Sequence, residues 1–454
     1  MIQARLFKVW HNGFVRSVSV LVGGTAFAQF LMVLILPLLT RFYSPADFTV
    51  LAVYASILGI FASIACLRLE IAIPIPESDE DAVNLLALAL FFATIFGLFW
   101  GALVWFFSDE LTMLTGQPAF EPFLWLVPLG VWLSGSYSAL QFWATREKQF
   151  SLIAKTRISQ ATGSATIQVG LGWVSITPLG LLLGQLVNSG SGVIGLGASI
   201  WRHHRDTLHL IRPRKMLDVL RVYQRYPRYS ILEALANNGN IQIPILIIAS
   251  LAAGPEAGFL MLATRIMAAP VGLVGGAISQ VYLSRAPEEK RQGQLGIFTG
   301  NIIGGLLRTG VGPIFFIGTI APVIFPPVFG AEWARAGDII TWMSPWFVMQ
   351  FLASPISMVL HINNRQKTAV VLQVVGLIMR VGAVLFAAYA APSYIVESYA
   401  VSSFAFYSIY FSVVLRSALS TPRELIAPLL GAWFPLAAWL LMAAIAHIFI
   451  KCIG

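Results

Sequence analysis

Runs of apolar residues recur along the whole chain, broken only by short polar stretches. A bilayer crossing needs about 20 apolar residues. Spans of that kind fall at 17–40, 47–67, 84–107, 122–143, 158–176 and 178–200. After a polar stretch at 201–228 come 229–252, 257–282, 304–325, 338–360, 368–391 and 395–415, with a thirteenth at 427–450. Backbone groups inside lipid have no water partner, so unbroken apolar runs of this length predict helices, not a barrel. Residues 2–14 alternate Ile2, Leu6, Val9, Trp10 and Phe14 with Arg5, Lys8 and His11, the pattern of a short interfacial helix. The first apolar stretch exceeds the 7–15 residues, roughly, of a signal-peptide core, so it predicts a retained span.

The expected fold is an all-α polytopic membrane protein of two six-helix lobes plus a thirteenth, C-terminal helix. The predicted organisation is a first lobe over 1–200, a basic linker at 201–228, a second lobe over 229–417 and the extra span within 418–454. The halves echo each other weakly. Hairpin 36–48 carries Pro37 and Pro45, and hairpin 243–259 carries Pro244 and Pro255. Pro128 precedes the basic stretch 145–149, as Pro345 precedes 364–368. Parallel repeats imply a pseudo-two-fold axis along the membrane normal with the functional site between the lobes. Simple recurrence of proline and basic residues at span ends explains the same echoes.

Charge adds an orientation. Of the 29 Lys and Arg residues, 24 lie on alternate breaks: the tail to Arg16, then 68–83, 144–157, 201–228, 284–308, 361–367 and 416–424. The other breaks hold Arg41, Arg335 and Lys451, while Arg265 and Arg380 lie inside spans. Short basic loops stay in the cytoplasm, so the N-terminus is expected there. Hydrophobic residues make up 57% of the chain and charged ones 11%, against about 25% charged in a soluble domain. The +9 net charge therefore reads as membrane-edge residues touching anionic lipid, not as a nucleic-acid surface. Cys66 and Cys452 stand far apart and suggest neither a disulfide nor a metal site.

Several local patterns read as structure. Gly190 to Gly195 matches GxGxxG, but it lies in a span, so helix packing through small residues is expected. Gly180/Gly184, Gly272/Gly276 and Gly300/Gly304 read the same way. His203, His204 and His209 sit among arginines that would repel a metal cation. Glu77, Asp79, Glu80 and Asp81 precede the third span, where a solvated loop or a helix N-terminus is expected. No nucleophile–base set, phosphate loop or zinc signature is present in the sequence, which argues against an enzyme.

Polar residues within spans carry more information, because a charge at a span centre costs about 2.5–3.5 kcal/mol on insertion scales. Arg265 shares a helical face with Ala268, Ala269, Gly272, Gly276 and Ser279. Arg380 has Gln373 and Gly376 on its face. Glu233, Asn237 and Asn240 form a stripe leading to Pro244, Arg68 and Glu70 end the second span, and Gln29, Gln160 and Gln168 add polar positions. For each residue a structural ion pair or interhelical hydrogen bond is the alternative to a hydrated cavity. Guanidinium groups suit phosphate oxygens, so two intramembrane arginines point to an anionic headgroup.

The segments "LPLLTRFYSPADFTVLAVYASI", "LRLEIAIPIPESDEDAVNLLALAL", "AGFLMLATRIMAAPVGLVGGAISQVYLSRAPEEK" and "VFGAEWARAGDIITWMSPWFVMQFLASPISMV" resemble bacterial Wzx-type polysaccharide flippases of the MOP exporter superfamily. The resemblance runs in order from about residue 17 to 417. It implies two six-helix lobes and alternating-access transport of a polyprenyl-pyrophosphate-linked oligosaccharide to the periplasmic leaflet. It also implies a central cavity faced by polar and cationic residues, matched here by Arg68, Glu70, Arg265 and Arg380; with the polar span positions Asn237, Asn240, Gln29 and Gln373, the three arginines are the expected substrate contacts. Glu70 and Glu233 are the carboxylates for gating or ion coupling. No cofactor is expected beyond a proton or sodium gradient. The same resemblance implies polysaccharide polymerase or ligase machinery as partners. A drug/cation antiporter of the superfamily needs a deep carboxylate in the first lobe, and spans 1 and 3–6 show none. An integral-membrane glycosyltransferase or polymerase needs a large soluble loop, and the breaks on the sparsely charged side are short.

Overall fold

The computed structural model describes residues 13–203, 205–363, 365–419 and 423–453. In chain order the longer helices are α1 (Gly13–Leu34), α2 (Leu36–Phe42), α3 (Pro45–Ala62), α4 (Asp79–Phe106), α5 (Ser108–Thr115) and α6 (Leu126–Arg146). They continue with α7 (Phe150–Trp173), α8 (Leu179–Gly190), α9 (Gly192–His203), α10 (Pro213–Val222), α11 (Ile231–Leu251), α12 (Glu256–Pro270) and α13 (Gly276–Arg291). The last are α14 (Leu295–Leu306), α15 (Gly312–Phe329), α16 (Ala334–Ala353), α17 (Gln366–Ala390), α18 (Ile395–Ala418) and α19 (Arg423–Ile453). No strand occurs among the described residues. Ten helical segments there are long and apolar enough to cross a membrane. Every expected span contains a helix. The interfacial helix expected at 2–14 lies outside the described residues, except that Gly13 and Phe14 open α1.

Two helix starts differ from expectation. α7 begins at Phe150, eight residues before the expected span. Ile153 and Ala154 are buried at 1% and 3% exposure, so the packed face reaches further back than the apolar run. Lys155 and Arg157 therefore ride on helix. α14 begins at Leu295 and continues through a π turn, Leu307–Val311, into α15, which leaves Arg308 inside one long helical segment.

Contacts divide the chain into two compact units. The first is the described part of Met1–Ile35 with Val50–Gln242; the second is Leu36–Thr49 with the described part of Ile243–Gly454. These bounds differ from the division expected from the sequence. Stretch 201–228 is no plain linker, because α10 packs on α4. The buried amide of Asn84 donates to Leu210 O (3.0 Å) and accepts from the Arg212 N–H (3.0 Å), and Lys215 pairs with Asp81 at 2.9 Å. Segment 36–49 joins the second unit through Trp333, whose indole N–H donates to Thr40 O at 3.2 Å. Gly258 donates to the Thr49 hydroxyl at 3.0 Å, and a Cβ there would overlap the Pro45 carbonyl. The two proline hairpins compared as repeats thus touch each other. Helix α19 is part of the second unit, with Gly304 against Pro428 and Gly312 against Trp439.

The first unit centres on Leu69, Val83, Leu86, Leu140, Trp143, Ile153, Leu196 and Val219. In the second, α15, α16 and α18 pack in succession, and α17 lies on α18. Large apolar residues such as Trp105, Phe106, Phe386 and Tyr389 are exposed, as a surface that meets acyl chains requires.

Within each unit, loops expected on one face meet one another. Arg146 donates to the Pro76 carbonyl and pairs with Asp79 at 2.7 Å. Lys290 donates to Ile362 O at 2.7 Å, and Asn363 to Ser417 O at 2.6 Å. On the sparsely charged face Arg41 donates to Pro327 O and Val328 O at 3.0 and 3.3 Å. Glu77 precedes the Ser78 cap of α4, and Asp79, Glu80 and Asp81 form its first turn; the Ser78 hydroxyl accepts from the Asp81 N–H at 3.4 Å. They are a helix start with ion pairs, not a free loop. The Asp81 carboxylate raises the affinity of the Lys215 ammonium for its proton. The glycines expected to pack helices largely do so: Gly190 meets Leu133, Gly192 meets Tyr137 and Gly184 meets Gln168. Gly276 does not, with no neighbour within 4 Å of a Cβ, and Gly272 is exposed.

Candidate functional site

In the first unit the chain between α3 and α4 turns through left-handed backbone at Leu67 (φ 50°) and Arg68 (φ 62°). Non-glycine residues rarely adopt this conformation, which crowds Cβ against the carbonyl. The turn brings Arg68 Nη1 to 3.4 Å from Glu70 Oε1. Glu70 is buried at 3% exposure. Burial pushes its carboxyl up; a backbone hydrogen bond and Arg68 pull it part of the way back. It is a carboxylate able to hold a proton nearer neutral pH than a solvated one.

The other expected positions of this unit are dispersed. Gln29 is exposed on α1. Glu233 and Asn237 are exposed on α11, whereas Asn240 is buried at 2%. The stripe read from the sequence therefore turns from surface to interior within two helical turns.

In the second unit Arg265 is half-buried on α12. The small-residue face expected beside it is interrupted. A π turn at Val271–Gly275 takes more residues per turn than an α-helix, so Gly276 and Ser279 do not continue the face of Ala268, Ala269 and Gly272. Gln373 is half-buried on α17, two turns before Arg380. Arg380 itself is enclosed at 1% exposure. Its guanidinium carbon lies 4.7 Å from the Phe406 ring centre, 5.2 Å from Tyr407, 5.6 Å from Trp346 and 6.0 Å from Tyr399. Each ring face carries negative quadrupolar charge. The expectation that Arg380 faces open polar space does not match this packed arrangement. Among the expected residues the structure unites Arg68 with Glu70, and places Gln373 and Arg380 along one helix.

Two features escaped the sequence reading. Arg335 clamps two carboxylates: Nε and Nη2 bind Glu256 at 3.1 and 3.2 Å, and Nη1 meets Glu397 at 2.7 Å. The signal was available, since Glu256 and Glu397 are acids at span starts on the face where Arg335 is one of few cations. The second is α7, polar on two faces. Gln160, Ser164 and Gln168 are buried, and the Gln168 amide donates to the Ser164 hydroxyl at 3.1 Å. Lys155, Ser159, Thr162 and Thr166 are exposed and, with Ile158, Gly163 and Ile167, form one open, shallow face of α7. Their spacing marks one helical face, but placing Lys155 in a loop concealed it.

A family model described as polysaccharide biosynthesis protein matches residues 38–336. Two solved structures share the fold over nearly the whole chain. One is the lipid II flippase MurJ in an inward closed conformation, 15% identical, with a TM-score of 0.69, covering 95% of this chain and 98% of that one. Another is an outward-facing multidrug resistance MATE family transporter of the MOP superfamily, 14% identical, with a TM-score of 0.53, covering 90% and 96%. Comparison with curated proteins gives no match.

Proposed function

The chain belongs to the polysaccharide biosynthesis protein family, and on that premise we propose that it is a flippase for a polyprenyl-pyrophosphate-linked oligosaccharide. The observation that carries this reading is the family match over residues 38–336. The shared fold with a protein named a lipid II flippase supports a lipid-borne cargo. The cargo starts in the cytoplasmic leaflet, on the side of the basic loops, and leaves in the periplasmic leaflet by alternating access. Half-buried Arg265 is the intramembrane cation for the pyrophosphate, since a planar guanidinium donates to two phosphate oxygens at once. Arg380, locked among rings, holds its helices together instead. A proton or sodium gradient drives the cycle, with Glu70 and Glu233 as the carboxylates that bind the ion.

The test is reconstitution in vesicles with lipid-linked oligosaccharide from native membranes, read by exposure of the sugar to a glycosidase outside. Wild type moves the sugar lipid across. Arg265→Ala reaches the membrane at normal abundance and moves about tenfold less, the loss of a charge-assisted contact. A second reading follows from the shared fold with a multidrug transporter. If the vesicles exchange an organic cation and leave the sugar lipid in place, the chain is an antiporter.

A further inference from the structure

Helix α7 carries more polar surface than a membrane helix needs for packing. Its interior face already uses Gln160, Ser164 and Gln168. The exposed face adds Lys155, Ser159, Thr162 and Thr166 at steps of four, three and four residues. An ammonium group and three hydroxyls spread over about 16 Å of helix are costly to place against acyl chains. Such a face suits water better than acyl chains. This open, shallow face is hydroxyl-rich along its length and cationic at one end. Lys155 stands at the end of α7 beside the basic loops. The Thr166 hydroxyl commits its proton to Thr162 O at 3.0 Å, which leaves its oxygen as an acceptor. Ile158 and Ile167 supply apolar contact between these groups. Alternating hydroxyls and apolar patches complement sugar rings, whose edges carry hydroxyls and whose faces carry C–H groups.

We propose that this face of α7 is the saccharide rail of the transporter: Ser159, Thr162 and Thr166 exchange hydrogen bonds with sugar hydroxyls, and Lys155 meets the phosphate charge. The assignment rests on the flippase reading and names where the sugar part of the cargo is recognised. It differs from headgroup binding at Arg265, because it reads the sugar and not the pyrophosphate alone.

The decisive variant is Ser159→Ala with Thr162→Val and Thr166→Val, which removes three hydroxyls at nearly constant volume. Binding is measured for two probes, lipid-linked oligosaccharide from native membranes and polyprenyl pyrophosphate without sugar. The variant loses about tenfold or more in affinity for the first probe, the combined effect of several hydrogen bonds, and binds the second like wild type. Lys155→Ala weakens both. Equal binding of the oligosaccharide probe by variant and wild type overturns the rail and leaves the flippase reading standing. A wild-type protein that neither binds nor moves the sugar lipid overturns both. If the triple variant fails to accumulate, single cysteines decide the matter. Thr162→Cys and Thr166→Cys, in a chain lacking Cys66 and Cys452, react with a charged thiol reagent, and the oligosaccharide probe slows that reaction. Silence towards the reagent, or reaction without protection, overturns the proposal.

Discussion

Arg335 and Arg380 are both drawn into the second unit, yet they are held in opposite ways. Arg335 opens α16 and spreads its planar fork over two carboxylates. Arg380 lies in the middle of α17 and presents its guanidinium to four aromatic rings. The first arrangement balances charge with charge at a helix end. The second surrounds a buried guanidinium with ring faces, which carry negative quadrupolar charge. Two arginines of one unit are thus held by different partners, carboxylates at one and rings at the other.

The comparison breaks or holds on relative stabilities. Arg335→Ala strands Glu256 and Glu397 and has the largest effect, about 2–4 kcal/mol, below the cost of a fully buried broken pair because Arg335 is partly exposed. Thermal unfolding in detergent reads the loss, and adding Glu397→Gln to that variant recovers part of it. Arg380→Met fills the ring box with an apolar side chain of similar length. It lowers stability by about 1–2 kcal/mol, the scale of a desolvated cation–π contact, and leaves transport measurable. A loss as large as that of Arg335→Ala would remove the distinction between the two sites. Arg41→Gln deletes two donations to carbonyls on the same face as Arg335 and costs about 1 kcal/mol, seen as a small drop in unfolding midpoint.

The smallest effect is at Glu70, where charge and burial are set against each other within one residue pair. Its folded proton affinity is raised by burial, so its contribution is fully favourable only below its unfolded value near 4.3. It weakens as pH rises towards the folded value. Glu70→Gln flattens this slope and is at least as stable as wild type at neutral pH. A variant that instead unfolds more readily at neutral pH would show the Arg68 pair outweighing the burial cost.

The helices were legible because apolar length is a one-dimensional signal, and the pairing of loops on each face follows from the same alternation of basic breaks. Lys155 shows where that signal ends. A span assigned by its apolar core stops at the first charge, whereas a helix continues while one face stays packed, as Ile153 and Ala154 do. The ring box of Arg380 draws Trp346 from α16 and Tyr399, Phe406 and Tyr407 from α18, contacts that no spacing along α17 encodes. Of the candidate site, the sequence placed Arg68 beside Glu70 through their separation of two. It could not tell that Asn240 is covered while Glu233 and Asn237 are exposed, since burial depends on neighbouring helices.

Segment 36–49 binds partners made far later. Thr49 meets Gly258 across 209 positions, Arg41 meets Pro327 across 286, and Thr40 meets Trp333 across 293. During synthesis this piece leaves the ribosome before any of those partners exists, so the second unit cannot close until the chain has passed Trp333. Domains made in sequence generally mature from the N-terminus; here an early strap must wait for a late one. A gene divided between 228 and 229 would give a second fragment lacking its own strap, and co-expression with the first fragment would have to restore it.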